Sequence, residues 1–168
     1  MACGIAAIAF SSCTKSARET SYDKKSYVEL DGLKWATKNA GATKDTPYGN
    51  LYTYEQALKA CPDGWRLPTY DELVQLSRFY SAPLSYDGMN GMWFSGSIPY
   101  TEGVDAVFFP LAGYNEGEGR EDVDSYGTYW SSTAYDSNNA YYLDFNTSSA
   151  KVYDRSRYSS FSVRCLKN

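Results

Sequence analysis

Residues 160–166 constrain this chain more than any other segment. Phe161, Val163 and Cys165 alternate there with Ser162, Arg164 and Leu166. This is the period-two pattern of a strand, so Cys165 is predicted to point inward with Phe161 and Val163. A second cysteine is predicted to point inward from a helix. Thr53-Tyr54-Glu55-Gln56 is a capping box, and Tyr54, Ala57, Leu58 and Cys61 follow at i, i+3, i+4 and i+7. That spacing puts Cys61 on the buried stripe of a short helix ending at Pro62 and Gly64. A bond from Cys61 to Cys165 would tie the final strand to the first helix. Closing a loop of about 100 residues is worth up to roughly 4.7 kcal/mol in the chain-entropy picture.

Whether these two pair depends on Cys3 and Cys13. Residues 2–10, ACGIAAIAF, form an apolar run followed by Ser11-Ser12-Cys13. The run is too short to cross a bilayer, which takes about 20 helical residues. Its length suits the apolar part of a secretory leader, and small residues before a cysteine resemble a bacterial lipoprotein processing site. No Lys or Arg precedes the run, and Phe10 stands where a smaller aliphatic residue is usual; a buried N-terminal strand is the alternative. The predicted organisation is a lipoprotein-type signal at 1–13 with Cys13 lipidated, a polar tether at 14–26, and one domain at 27–168. The chain is expected to be exported and held at a periplasmic or cell-surface membrane by its lipid anchor only. Cys61 and Cys165 then remain as an even pair in an oxidising compartment. A metal site is the rival explanation, and two isolated thiols make a poor one in a chain without histidine.

A second capping box, Thr69-Tyr70-Asp71-Glu72, opens a helix predicted to reach about Tyr80, with Leu73, Leu76 and Tyr80 on its apolar face and Phe79 beside it. Strands are predicted at 27–30, 33–36, 106–109, 129–131, 140–145, 151–153 and 160–166. The fold class is therefore α+β, with two short helices, small antiparallel sheets and long loops. Only 28 residues are Leu, Ile, Val or Phe, against 17 Tyr and four Trp, so rings must fill much of the core. The absence of histidine excludes Ser-His-Asp and Cys-His machinery and imidazole acid/base catalysis. A net charge of −4 with 16 scattered cations argues against a nucleic-acid partner.

Four ordered motifs carry a resemblance: Cys61-Pro62-Asp63-Gly64-Trp65-Arg66-Leu67-Pro68-Thr69, Phe109-Pro110-Leu111-Ala112-Gly113, Tyr129-Trp130-Ser131-Ser132-Thr133 and Ser162-Val163-Arg164-Cys165. With residues 28–39 they strongly resemble the Fibrobacter succinogenes major paralogous domain, over about 27–168. The resemblance implies a bacterial branch of the C-type lectin-like fold, related to the formylglycine-generating enzyme fold, with Trp65, Trp130 and Phe109 as core anchors. That enzyme branch works through reactive cysteines. Both domain cysteines here match structural positions, so no catalytic residue and no cofactor is expected. The acidic run at 115–124 offers oxygen ligands but matches no EF-hand spacing, and the calcium tripeptides of animal C-type lectins are missing. It is read as a solvated loop rather than a calcium site, and no metal ligand is assigned.

The strongest functional signal lies at 134–160, where Tyr, Ser, Asn and Asp make up 17 of 27 residues. Antibody paratopes use a similar palette, because Tyr supplies rigid contact area while Ser and Asn adapt their hydrogen bonds. Tyr142 and Asp144 are predicted to face outward, and Tyr141, Leu143 and Phe145 inward. The candidate ligand-binding set is Tyr135, Asp136, Ser137, Asn138, Asn139, Tyr142, Asp144, Asn146, Ser148, Tyr153, Asp154, Arg155, Ser156, Tyr158 and Ser159. Turn chemistry alone explains Ser, Asn and Asp in hairpin loops, but it does not require five tyrosines. The resemblance adds that this segment corresponds to the variable region rewritten by diversity-generating retroelements, whose adenine-directed mutagenesis leaves Asn, Tyr, Ser and Asp. The expected partner is a protein or glycan on a cell, host or phage surface. The alternative is a structural domain of a surface adhesin or appendage without diversification.

Overall fold

Asp31 and Gly32 both adopt positive φ, 50° and 77°. They form the tight turn that joins strands β1 (Tyr27–Leu30) and β2 (Leu33–Ala36) into a hairpin. The molecule is described from a computed structural model over residues 26–96 and 106–168. The predicted signal segment, the predicted lipidation site at Cys13 and nearly all of the predicted tether lie outside the described residues. Among those that are described, no helix is long and apolar enough to cross a membrane.

After β2 the elements run α1 (Tyr54–Ala57), β3 (Trp65–Arg66), α2 (Tyr70–Ser77), β4 (Tyr80–Pro83), β5 (Gly91–Ser95), β6 (Ala106–Pro110), β7 (Gly127–Ala134), β8 (Asn139–Phe145), β9 (Ala150–Ser156) and β10 (Leu166–Lys167). They form three small sheets with strand orders β1-β2-β10-β3, β4-β5-β6 and β7-β8-β9. The strands pair antiparallel throughout. This is the α+β class expected, with two short helices.

Both capping boxes are formed. At α2 the Thr69 hydroxyl accepts from the Glu72 N–H, and the Glu72 carboxylate accepts from the Thr69 N–H at 2.7 Å. The same carboxylate takes a bidentate pair from Arg66, at 2.8 and 2.6 Å. These contacts hold the Glu72 carboxyl below its ordinary range, with the Arg66 hydrogen bonds as the largest cause. The two helices are shorter than their periodicity predicts. Leu58 is 45% exposed rather than buried, because α1 ends before a full second turn. Tyr80 is 55% exposed, since the chain has already entered β4, an exposed edge strand ending at Pro83.

Rings do build the core. One buried cluster joins Trp35, Phe94, Phe109, Tyr129 and Phe145 to Leu73 and Leu76 of α2. Edge-on contacts link Trp35 to Phe109 (5.6 Å between centroids), Phe94 to Phe109 (5.4 Å) and Phe94 to Phe145 (5.5 Å). A second cluster gathers Tyr54, Trp130, Phe161, Val163 and Cys165. Trp130 and Phe109 are core anchors as the resemblance implies, whereas Trp65 is only half-buried at the border of the second cluster.

Residues 160–166 depart from the expected two-faced strand. They form isolated bridges and reach regular pairing only at β10, and both of their faces are buried. Arg164 is 1% and Leu166 1% exposed, because the segment runs between the two clusters and not along a surface. The Cys61–Cys165 disulfide is present.

Candidate functional site

β8 and β9 form a seven-residue hairpin in continuous register, from Asn139 opposite Ser156 to Phe145 opposite Ala150. Alternation divides it into two faces. Leu143 and Phe145 join the core beside α2, with Val152 and Ala150 packed against that cluster. On the opposite face Tyr142 pairs with Tyr153, and Asp144 with Lys151. The expectation that Leu143 and Phe145 point in while Tyr142 and Asp144 point out holds in direction, with two corrections. Tyr141 is not core: on the central strand of its sheet, half-buried, its ring lies between Tyr70 (4.3 Å, tilted) and Tyr135 (5.3 Å, edge-on). Tyr142 is half-buried, its ring 4.6 Å from Phe161 and 6.1 Å from Trp130.

The outer face of the hairpin looks across a cleft of about 270 Å³ at the segment 114–126, whose Tyr114, Glu116, Asp122 and Tyr126 line the far side. Tyr142, Asp144 and Arg155 line the near side, with Thr128 and Phe161 completing the wall. The acidic segment is exposed over residues 116–122, a solvated loop as expected, and it also forms one wall of the cleft. Reciprocal backbone bonds between Asn115 and Ser160 (3.0 and 2.8 Å) and between Tyr114 and Glu121 (3.1 and 2.8 Å) tie it down. Arg155 donates to both oxygens of Glu116, at 2.7 and 2.6 Å, and the Tyr114 hydroxyl donates to Asp122 at 2.9 Å. The arginine holds the Glu116 carboxyl below its ordinary range. Among the described residues no group of three or more acidic or cysteine side chains is arranged to hold a metal ion.

Asp144 differs from the other carboxylates of the cleft. It is half-buried, and among the described residues no hydrogen bond or ion pair engages it. Burial alone raises its carboxyl above the ordinary range. Beside it the Tyr142 phenol is pushed up to about 12, mainly by burial and next by the Asp144 charge. At neutral pH the cleft thus presents an unpaired carboxylate next to a phenol that stays protonated. Such a pair suits hydrogen-bond donors and cationic groups.

Not all of the predicted set faces this cleft. Tyr135, Asp136, Ser137 and Asn138 connect β7 to β8 at one end of the hairpin, near Tyr158, which is 90% exposed. Asn146 and Ser148 lie in the turn at the other end. Asp154 points to the face of Tyr141, where Asn139 donates to it at 3.1 Å. Two side chains are committed to their own turns. Asp136 accepts from the Asn138 and Asn139 N–H groups, both at 2.7 Å, and Asn146 accepts from Ser148 and Ser149. Ser156 accepts from the Tyr158 N–H. Ser159 is 7% exposed and turned to Glu116, so it is not a surface contact. Composition could not reveal Tyr114, Glu116, Asp122 and Tyr126, because they precede the Tyr/Ser/Asn-rich tract and meet it only through tertiary pairing.

The ion pair of the cleft carries a pH prediction. Glu116 is depressed when folded, so its contribution is present above the unfolded carboxyl value of about 4.3 and is lost as pH falls through the lower folded value. At this exposure it is worth under about 1 kcal/mol. Arg155→Met is therefore expected to cost less than that at pH 7. The cost should shrink in parallel urea titrations as pH falls below about 4.3.

Residues 11–167 match the model of the family described as the Fibrobacter succinogenes major domain. No curated protein and no solved structure matches the chain.

Proposed function

We propose that the chain, which belongs to the Fibrobacter succinogenes major domain family, is an exported, lipid-anchored binding protein. Its arrangement of small antiparallel sheets and two short helices supports a C-type lectin-like fold. The ligand is a protein or glycan on another cell, a host or a phage. The observation that carries this reading is the unpaired Asp144 in a tyrosine-lined cleft, with Tyr153 48% exposed beside it and Tyr135 and Tyr158 open at the hairpin end. Burying a carboxylate without a partner destabilises a fold, and such a cost is typical of a site that a ligand completes. Exposed aromatics around it supply contact area with little entropy loss.

On this reading the hairpin surface is also the segment that a diversity-generating retroelement rewrites. Tyr135, Ser137, Asn138, Ser148, Tyr153 and Tyr158 can change without disturbing the buried Trp130 and Phe161 behind them. The DNA tests this part. A nearby reverse-transcriptase gene and a template repeat differing only at adenines are expected, and their absence removes diversification while leaving the binding role.

The binding role is tested with Asp144→Asn, Tyr153→Ala and wild type on glycan arrays and surface-protein panels. Asp144→Asn is expected to abolish capture of any ligand found while raising stability at pH 7. A carboxyl raised by folding penalises the fold at neutral pH, and the penalty fades as pH falls through the raised folded value and is gone below the unfolded value of about 3.9. The gain in melting temperature should therefore be largest near pH 7. Tyr153→Ala is expected to weaken binding at least tenfold and to cost under about 1 kcal/mol of stability. A chain that binds nothing and self-associates in solution would instead favour a structural adhesin domain.

A further inference from the structure

The strands around Asp144 leave its carboxylate without a counter-charge. It sits on β8 between Thr128 of β7 and Lys151 of β9. The Thr128 hydroxyl donates to the Gly113 carbonyl at 3.0 Å, so its proton is committed elsewhere. Lys151 is exposed and forms no ion pair. Arg155, the one cation among the described lining residues, donates to both oxygens of Glu116. Among the described residues neither carboxylate oxygen of Asp144 therefore has a partner.

Charge and surroundings together narrow the ligand. Arg155 cancels Glu116, and the Asp122 carboxylate is met by the Tyr114 hydroxyl alone. The described lining thus keeps two negative charges, on Asp122 and Asp144, without a cation. Tyr114, Tyr126 and Tyr142 line the same cleft, and aromatic rings attract cations at their faces. A sugar needs a partner for each of several hydroxyls, whereas Glu116, Arg155 and the Tyr114 hydroxyl are already engaged. A cleft of about 270 Å³ with aromatic walls and one unpartnered carboxylate suits a single side chain with an apolar stem and a cationic head.

We propose that the Asp144 cleft takes an arginine side chain of a partner protein. The inference rests on the binding role proposed above and names the ligand chemistry of that same site. A guanidinium fork matches both oxygens of a carboxylate, and its plane stacks on a phenol ring. A lysine ammonium is more strongly hydrated and lacks the planar fork, so it gains less in a half-buried site. Arginine is also enriched in protein interfaces, where lysine is depleted.

The test titrates the whole chain with Nα-acetyl-arginine methylamide, its lysine counterpart and its citrulline counterpart, which keeps the shape of arginine without the charge. The amide resonances of Tyr142, Asp144 and Arg155 are followed at constant ionic strength, alongside the glycan arrays and surface-protein panels. Saturable shifts are expected for arginine, with lysine and citrulline weaker by at least about tenfold. Asp144→Asn is expected to weaken arginine by at least about tenfold as well. Tyr126→Leu, at a ring 38% exposed, keeps an apolar wall and should weaken arginine about threefold. The spectral dispersion of each variant confirms that it is folded. Arginine that never saturates, that lysine or citrulline matches, or that binds Asp144→Asn equally well would overturn the inference. A glycan captured without any arginine binding would also overturn it, while the binding role stands. The binding role fails instead if the panels capture nothing and the chain self-associates, whether or not arginine saturates the cleft.

Discussion

Replacing both Cys61 and Cys165 by alanine is expected to lower the unfolding free energy by about 2–5 kcal/mol. For a domain of this size that corresponds to roughly 6–15 °C in melting temperature. The bond spans 104 residues, so most of the domain lies in the loop it closes, with β1, β2, α1 and β10 outside it, and the unfolded chain loses the corresponding freedom. In the folded state it joins the loop that follows α1 to a segment caught between two ring-rich clusters. Cys165 itself belongs to the second cluster, 4% exposed beside Val163 and Phe161. Thermal melts of wild type with and without reductant, and of the double variant, measure the effect. The reduced wild type should melt slightly above the double variant, since its thiols still fill their packing sites. A loss below about 1 kcal/mol in both would mean that the cross-link barely constrains the unfolded ensemble.

The disulfide was legible in the sequence although neither element that argued for it forms as expected: Cys61 lies beyond the end of α1, and Cys165 precedes β10. The capping boxes were legible too, since Thr53 and Thr69 each stand three residues before the side chain that answers them. β5 was not legible. All five of its residues, Gly91–Ser95, are buried, so the alternation that marks a strand is absent. The two-residue strands β3 and β10 exist only because Leu166 and Lys167 fit between β2 and β3, and no local pattern encodes that. That Arg164, on the face opposite Cys165, is also buried was hidden for the same reason. Alternation predicts which residues share a face, but not whether a second layer covers it.

The candidate site divides along the same line. Its near wall follows from alternation in β8 and from the unusual run of tyrosines. Its far wall depends on Asn115 pairing with Ser160, a contact between a loop and a bridge. Tyr142 illustrates the limit of composition: as an exposed ring its removal would change stability little, yet its contacts with Phe161 and Trp130 make Tyr142→Ala a loss of about 2 kcal/mol. Tyr142→Phe separates the two roles, because it keeps the ring and removes only the hydroxyl beside Asp144.

The other large effect is expected at Asn39, where the interior polar network converges. Asn39 is 4% exposed. Its Nδ2 donates to the Tyr48 carbonyl at 2.9 Å and to the Tyr129 hydroxyl at 3.0 Å, while its Oδ1 accepts from Arg164 Nε. The Tyr129 hydroxyl in turn donates a hydrogen bond to the Pro110 carbonyl at 2.8 Å. Every polar atom of the Asn39 side chain is thus used, and one of its partners is a buried cation. Asn39→Leu keeps the volume but leaves Arg164 Nε and the Tyr48 carbonyl without a partner. Stranding a buried charge in this way costs about 3–5 kcal/mol. Asn39→Asp should fall between the two, since it gives Arg164 a carboxylate but loses both Nδ2 donors. Urea unfolding at pH 7 should rank wild type above Asn39→Asp and Asn39→Leu last. A loss below about 1 kcal/mol for Asn39→Leu would mean that water reaches the guanidinium and takes the place of Asn39, so that the network contributes little to stability.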